Sequence, residues 1–81
     1  MKATEALLER IVVDPKIMVG KPVIRGTRVT VEHVLTLLAQ GLTFEKILKD
    51  FPHLMREDIA AVLLYAAKVT GREEVHPVTM E

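Results

Sequence analysis

Apolar residues come first in short β-branched runs and then, from Val31 onward, at helical spacing. Ile11, Val12 and Val13 form a run that Asp14-Pro15 closes, which reads as a short strand and a turn. Lys16 to Val19 reads as a linker or a second extended piece before Gly20. Pro22 keeps Lys21 out of the helical region and cannot donate to a sheet ladder, so this stretch is an edge strand or an arm. Val23, Ile24 and Val29 flank Arg25-Gly26-Thr27-Arg28 as they would in a hairpin or tight corner, with Gly26 taking the positive φ.

Thr30 is placed to cap a first helix over about 31–40, in which Val31, Val34, Leu35 and Leu38 recur at i, i+3, i+4 and i+7 and which Gly41 ends. Thr43 caps a second, with Phe44, Ile47, Leu48 and Phe51 as its apolar stripe and Pro52 as its stop. A third opens over Leu54 to Asp58 and is expected to end at Gly71. One of its faces carries Ile59, Val62, Leu63, Ala66 and Ala67, but Ala60, Ala61, Leu64 and Val69 leave the other face apolar as well. A helix apolar nearly all round is buried by its own fold or by a partner. Upstream, Thr4 is placed to cap a short helix over Glu5 to Glu9; downstream, Arg72 to Glu81 reads as a charged, weakly structured tail containing Pro77. The pattern predicts one mainly α domain over residues 1–75, with a short β-hairpin or arm at about 11–30 and a flexible tail at 76–81.

Composition sharpens the question of what covers the third helix. In 81 residues, 49% are hydrophobic and none is cysteine, so neither a disulfide nor a thiolate metal site can reinforce a small core. The mean hydropathy of +0.26 is high for so short a chain, which predicts an apolar face left for a homodimer or another protein. Ala60, Leu64 and Tyr65 are the candidate dimer residues. The apolar run Ile59–Ala67 is about half of what a bilayer requires, and MKATEALLER lacks the long apolar core of a secretory signal, so the expectation is a soluble, cytoplasmic chain without membrane contact.

Eleven Lys plus Arg balance eleven Asp plus Glu, with a pI near 6.8, and that balance weighs against a dedicated nucleic-acid binder. The local exception is GKPVIRGTR, Gly20 to Arg28. Turn geometry accounts for Gly20, Pro22 and Gly26, which leaves Lys21, Arg25, Thr27 and Arg28 as the candidate binding residues. Three readings stay open for them: a solvated turn whose arginines pair with Asp14 or Glu32, a contact to a partner protein, or a grip on phosphate. The stretch is not a P-loop, because the upstream glycine and the following Ser or Thr are absent.

Catalysis finds few parts. His33, His53 and His76 share no helical spacing, which predicts no metal site, and no cofactor or small-molecule substrate is expected. The carboxylates Asp14, Glu32, Glu45, Asp50, Glu57 and Asp58 read as solvated charges or helix-end partners. The chain contains no serine, and no threonine sits beside a plausible base. The expectation is a protein that is not an enzyme.

The run GKPVIRGTRVTVEHVLTLLAQGLTFEKILKDFPHLMREDIAAVLLYAA resembles the domain-of-unknown-function family four-three-three over roughly Ile11 to Lys68. The resemblance implies a three-helix, homeodomain-like helix-turn-helix fold and an antitoxin-like role beside a PIN-like ribonuclease toxin encoded alongside. Under that fold the third helix would enter a DNA groove with Arg56, Glu57, Ala60 and Ala61. Of these Arg56 is the candidate base reader, while Glu57 and Asp58 repel phosphate. Met55 departs from the threonine expected there, and methionine cannot accept the orphan N–H bonds at a helix start. The favoured expectation is a non-catalytic antitoxin-like protein that neutralises a nuclease by protein contact. The alternatives are a DNA-binding regulator, including an autorepressor, and a dimeric structural interaction domain.

Overall fold

Ile24, Val31, Val34, Ile47, Leu54, Ile59 and Val62 form one buried cluster, drawn from the Val23-Ile24 stretch and the three helical stretches, with Ile11 of the first run packed against it. The structure is a computed structural model and describes residues 6–72; the expected cap at Thr4 and the expected tail from 73 to 81 lie outside the described residues. Strand β1 is Ile11–Val13 and strand β2 is Pro22–Ile24. Three α-helices follow: α1 (Val31–Ala39), α2 (Phe44–Asp50) and α3 (Arg56–Arg72). The fold is thus mainly helical, with a short two-stranded antiparallel sheet at its N-terminal side.

The sheet pairs β1 with β2 in the register Ile11↔Ile24, Val12↔Val23 and Val13↔Pro22. Of the hairpin or tight corner expected around residues 25–28 the structure has the corner: the backbone there makes a single bridge, Val23↔Thr30, and the strand partner of β2 is β1, within the arm expected at about 11–30. Val23 therefore has neighbours on both sides and is fully buried. Pro22, which lacks an N–H, sits at the end of the pairing, where a missing donor costs least.

Each helix is bounded by local chemistry. Thr30 accepts from the His33 N–H at 3.0 Å and Thr43 from the Lys46 N–H at 3.1 Å, so both expected caps form. Beyond α1, the Gly41 N–H reaches the Leu38 carbonyl and the Leu42 N–H reaches that of Leu37, the paired bonds of a Schellman ending. At α3 Met55 offers no side-chain acceptor, and the reciprocal half of a capping box takes over, with the Asp58 Oδ2 accepting the Met55 N–H at 2.8 Å. Leu54 and Ile59 flank that start and both lie in the core cluster, as a hydrophobic staple requires. Truncating Ile59 to alanine would cost about 2–5 kcal/mol.

Gly71 does not end α3 as expected. It lacks the left-handed φ of a C-terminal cap, and the helix continues through it to Arg72. All of the buried residues of α3, Asp58, Ile59, Ala61 and Val62, lie in its first two turns, so its C-terminal half is only partly covered by the rest of the fold. None of the described helices is long and apolar enough to cross a membrane.

Between β1 and β2 the chain turns through a 3-10 segment, Met18–Gly20, with a local geometry no sequence signal announces. Met18 (φ 48°), Val19 (φ 56°) and Gly20 (φ 80°) are consecutively left-handed. For a β-branched residue such as valine this is a genuine outlier, costing about 1–2 kcal/mol. The turn is nevertheless tightly specified: the Ile17, Gly20 and Lys21 N–H groups donate to the Asp14, Ile17 and Met18 carbonyls, and the Asp14 carboxylate accepts the Lys16 N–H at 2.9 Å.

Candidate functional site

The basic corner is built by the backbone first. The Ile24 N–H donates to the Val29 carbonyl at 2.9 Å and the Thr27 N–H to the Ile24 carbonyl at 3.0 Å, which closes the turn. The Thr27 hydroxyl donates to the same Ile24 carbonyl at 2.8 Å and accepts the Val29 N–H at 2.9 Å. Thr27 is therefore occupied in shaping the corner. Gly26 takes φ +79°, and a Cβ there would meet open space, so any larger residue is opposed by backbone conformation alone.

The cations divide by what they touch. The Arg25 Nε donates to the Glu9 carbonyl at 2.8 Å, and the Arg25 N–H to the Arg10 carbonyl at 2.7 Å. The Lys21 Nζ lies 3.0 Å from Glu32, both side chains being exposed. Arg28 is exposed and makes no hydrogen bond or ion pair among the described residues. Of the four candidate binding residues, three already hold the arm in place.

Arg56, the candidate base reader, turns toward α2. It pairs with Glu45 at 3.0 Å and lies 5.1 Å over the Phe44 ring. Glu45's own backbone N–H, helped by Arg56, holds its carboxyl below the ordinary range.

The burial of Asp58 and its pairing with Arg10 had no counterpart in the sequence reading. Expected as a solvated charge or a helix-end partner, Asp58 is a helix-end partner, but one that is only 7% exposed. One oxygen caps α3 and the other accepts from the Arg10 guanidinium at 3.0 Å. Since the Arg10 carbonyl also receives Arg25, a single carboxylate ties the start of α3 to the β arm and through it to the corner. The signal in the sequence was the acidic residue three positions after a helix start; its partner, 48 positions away, had no local signal.

The apolar surface concentrates on α3. Helical spacing places Ala60, Leu63, Leu64 and Ala67 along its outward side, with Leu63 42% exposed. Tyr65, grouped with Ala60 and Leu64 in the sequence reading, is turned the other way and packs against the core cluster. There, beside Val69, it lines an apolar groove of about 540 Å³ between α1 and the C-terminal half of α3, floored by Leu35, Ala39 and Ala66 and bordered by Lys21 and Glu32. No set of acids, bases or nucleophiles converges in it. His33 and His53 each meet Phe51 edge-on, with ring centres 5.9 and 6.4 Å away, and among the described residues no three side chains gather as metal ligands would.

Comparison with known proteins places these features in a family. The chain is 39% identical over 72 residues to the uncharacterized protein y4eO of Sinorhizobium fredii, a match that takes in 86% of this chain and 33% of that relative, so the chain spans about a third of its length. An uncharacterized protein of Archaeoglobus fulgidus is 68% identical over 25 residues, 31% of this chain and 69% of its own. Among solved structures, the crystal structure of a DUF433 member from Anabaena variabilis superposes with a TM-score of 0.74 at 25% identity, covering 88% of this chain and 70% of that one. The model of the family described as "Protein of unknown function (DUF433)" matches residues 11–66, from β1 into α3, and to that family the chain belongs.

Proposed function

We propose that the protein is a non-catalytic protein-binding module, the antitoxin-like half of a pair in which it masks a PIN-like ribonuclease, and that it works as a homodimer joined through the outward side of α3. The observation that carries this reading is the apolar side Ala60, Leu63, Leu64 and Ala67 on a helix whose opposite side already fills the core. Leaving such a stripe in water is costly, and two copies packed across a twofold axis would cover it with identical surfaces. The charged groups that a nucleic-acid reader needs are mostly engaged within the fold, Lys21 with Glu32, Arg56 with Glu45 and Arg25 with the Glu9 carbonyl.

Co-expression with the product of the adjacent reading frame tests the first part. Pull-down of that product, with relief of its growth inhibition, is the expected result; failure of both removes the antitoxin reading. Light scattering at micromolar concentration tests the second, where a monomer mass would remove the dimer.

One observation favours DNA binding as a second reading: Arg28 is exposed and unpaired among the described residues, beside the open Gly26. Under that reading Arg28→Ala weakens a shift of the upstream DNA and flattens its salt dependence by about one phosphate contact. An unchanged shift would exclude the corner as a phosphate grip.

A further inference from the structure

Across the ridge of Tyr65 and Val69, the groove between α1 and α3 has a smaller neighbour. This second cavity, about 390 Å³, opens between the N-terminal segment and the C-terminal half of α3 and is lined by Leu8, Ile11, Tyr65, Lys68, Val69 and Arg72. It lies on a different side of the helix from the stripe of Ala60, Leu63, Leu64 and Ala67, so filling one leaves the other open. Its chemistry is one-sided. The floor is apolar, and the two charged residues on the rim, Lys68 and Arg72, are exposed cations one helical turn apart. No carboxylate lines the cavity, and the ion pairs among the described residues use other cations, Arg10, Lys21, Lys46 and Arg56.

We propose that residues 73–81 of the same chain, which lie outside the described residues, fold back over this cavity, with Glu73 and Glu74 facing Lys68 and Arg72 and with Val75, Val78 and Met80 covering the apolar floor. The segment, EEVHPVTME, holds three glutamates and no lysine or arginine, so its charge is opposite to that of the rim. Its acids come first and its apolar residues after, the order in which a chain turning back from Arg72 meets the cations and then the floor at Tyr65. Pro77 opposes a straight continuation of α3 through His76. Length is no obstacle. From Tyr65 to Arg72 the helix rises about 10 Å, whereas nine extended residues reach up to about 30 Å. Tethering favours this occupant over a free one: a short segment attached at the rim has an effective concentration of about a millimolar, which a second copy or another protein of equal chemistry must exceed. Nothing in this contact depends on a toxin partner.

Tyr65 is the chain's single tyrosine and there is no tryptophan, so intrinsic fluorescence reports the cavity wall directly. Acrylamide quenching is compared between the unaltered protein, Val75→Asp with Val78→Asp, and Glu73→Lys with Glu74→Lys. Both double variants are expected to be quenched about twofold more strongly, as the aromatic face loses its cover, and salt is expected to move the parent toward them. Unchanged quenching in both overturns the proposal. Position is read separately in a chain altered only at Thr79→Cys, where the absence of any other cysteine allows one nitroxide label. The label is expected to broaden the amide signals of Leu8 and Ile11 more than those of Leu35 and Ala39 in the neighbouring groove. The reverse pattern, or broadening confined to the end of α3, overturns the assignment. Broadening of Leu8 and Ile11 that persists when label and isotope are on different molecules gives the cavity to a second copy and overturns the intramolecular contact.

Discussion

Two turns flank β2, and they solve the same geometric problem in opposite ways. The exit turn places glycine at the left-handed position and uses the Thr27 hydroxyl to bind the backbone on both sides. The entry turn places methionine and valine at left-handed positions before reaching Gly20. The first minimises backbone cost; the second accepts strain and leaves Val19 94% exposed. Where glycine would fit and valine stands, the side chain is what distinguishes the turn, and local geometry alone does not explain it.

The comparison can be broken at its common support. Both turns hang on an arm fixed to α3 by Asp58, so Asp58→Ala should give the largest loss, about 2–4 kcal/mol in chemical denaturation, by leaving Arg10 unpaired and the helix start uncapped. Gly26→Val installs at the exit turn the strain already present at the entry turn and should cost about 1–2 kcal/mol, whereas Val19→Gly should raise the melting temperature by a few degrees. Equal and opposite shifts would show that the turns differ in strain alone. Arg56→Ala, remote from both, should cost about 0.5–1 kcal/mol through loss of its contact with Phe44.

The smallest effect is a pH dependence at the Arg56–Glu45 pair. Glu45 has a lowered pKa in the folded protein, so its contribution is present above the unfolded glutamate pKa and is lost as the pH falls through the folded one. Glu45→Gln should remove a shallow acid-side slope from the stability profile, measured as unfolding midpoint against pH, and leave the two turns unaffected.

Elements whose cause is local were legible from the residues. The caps at Thr30 and Thr43, the stop at Gly41 and the three helices all follow from neighbours within about one turn. Gly71 misled because glycine permits a left-handed ending without requiring one. The pairing of β2 with β1 and the burial of Asp58 depend on residues 9 to 48 positions apart, which no short window contains. The corner cations and Glu32 as a partner of the turn's arginines were read from the residues, but that Lys21 takes Glu32 and Arg25 the Glu9 carbonyl emerged only from the packed arm. Met18 and Val19 are the hardest case, since neither residue type advertises a left-handed backbone.

The partial cover of α3 gives the molecule an uneven rigidity. A helix of 17 residues is roughly 25 Å long, yet only its first two turns are locked by buried side chains. Amide protons near Asp58 to Val62 should exchange only when the whole domain opens, while those near Lys68 to Arg72 should exchange through fraying of the last turns. Anything that docks along that half would slow its exchange first, so a footprint of protection there would reveal an occupant before its identity is known.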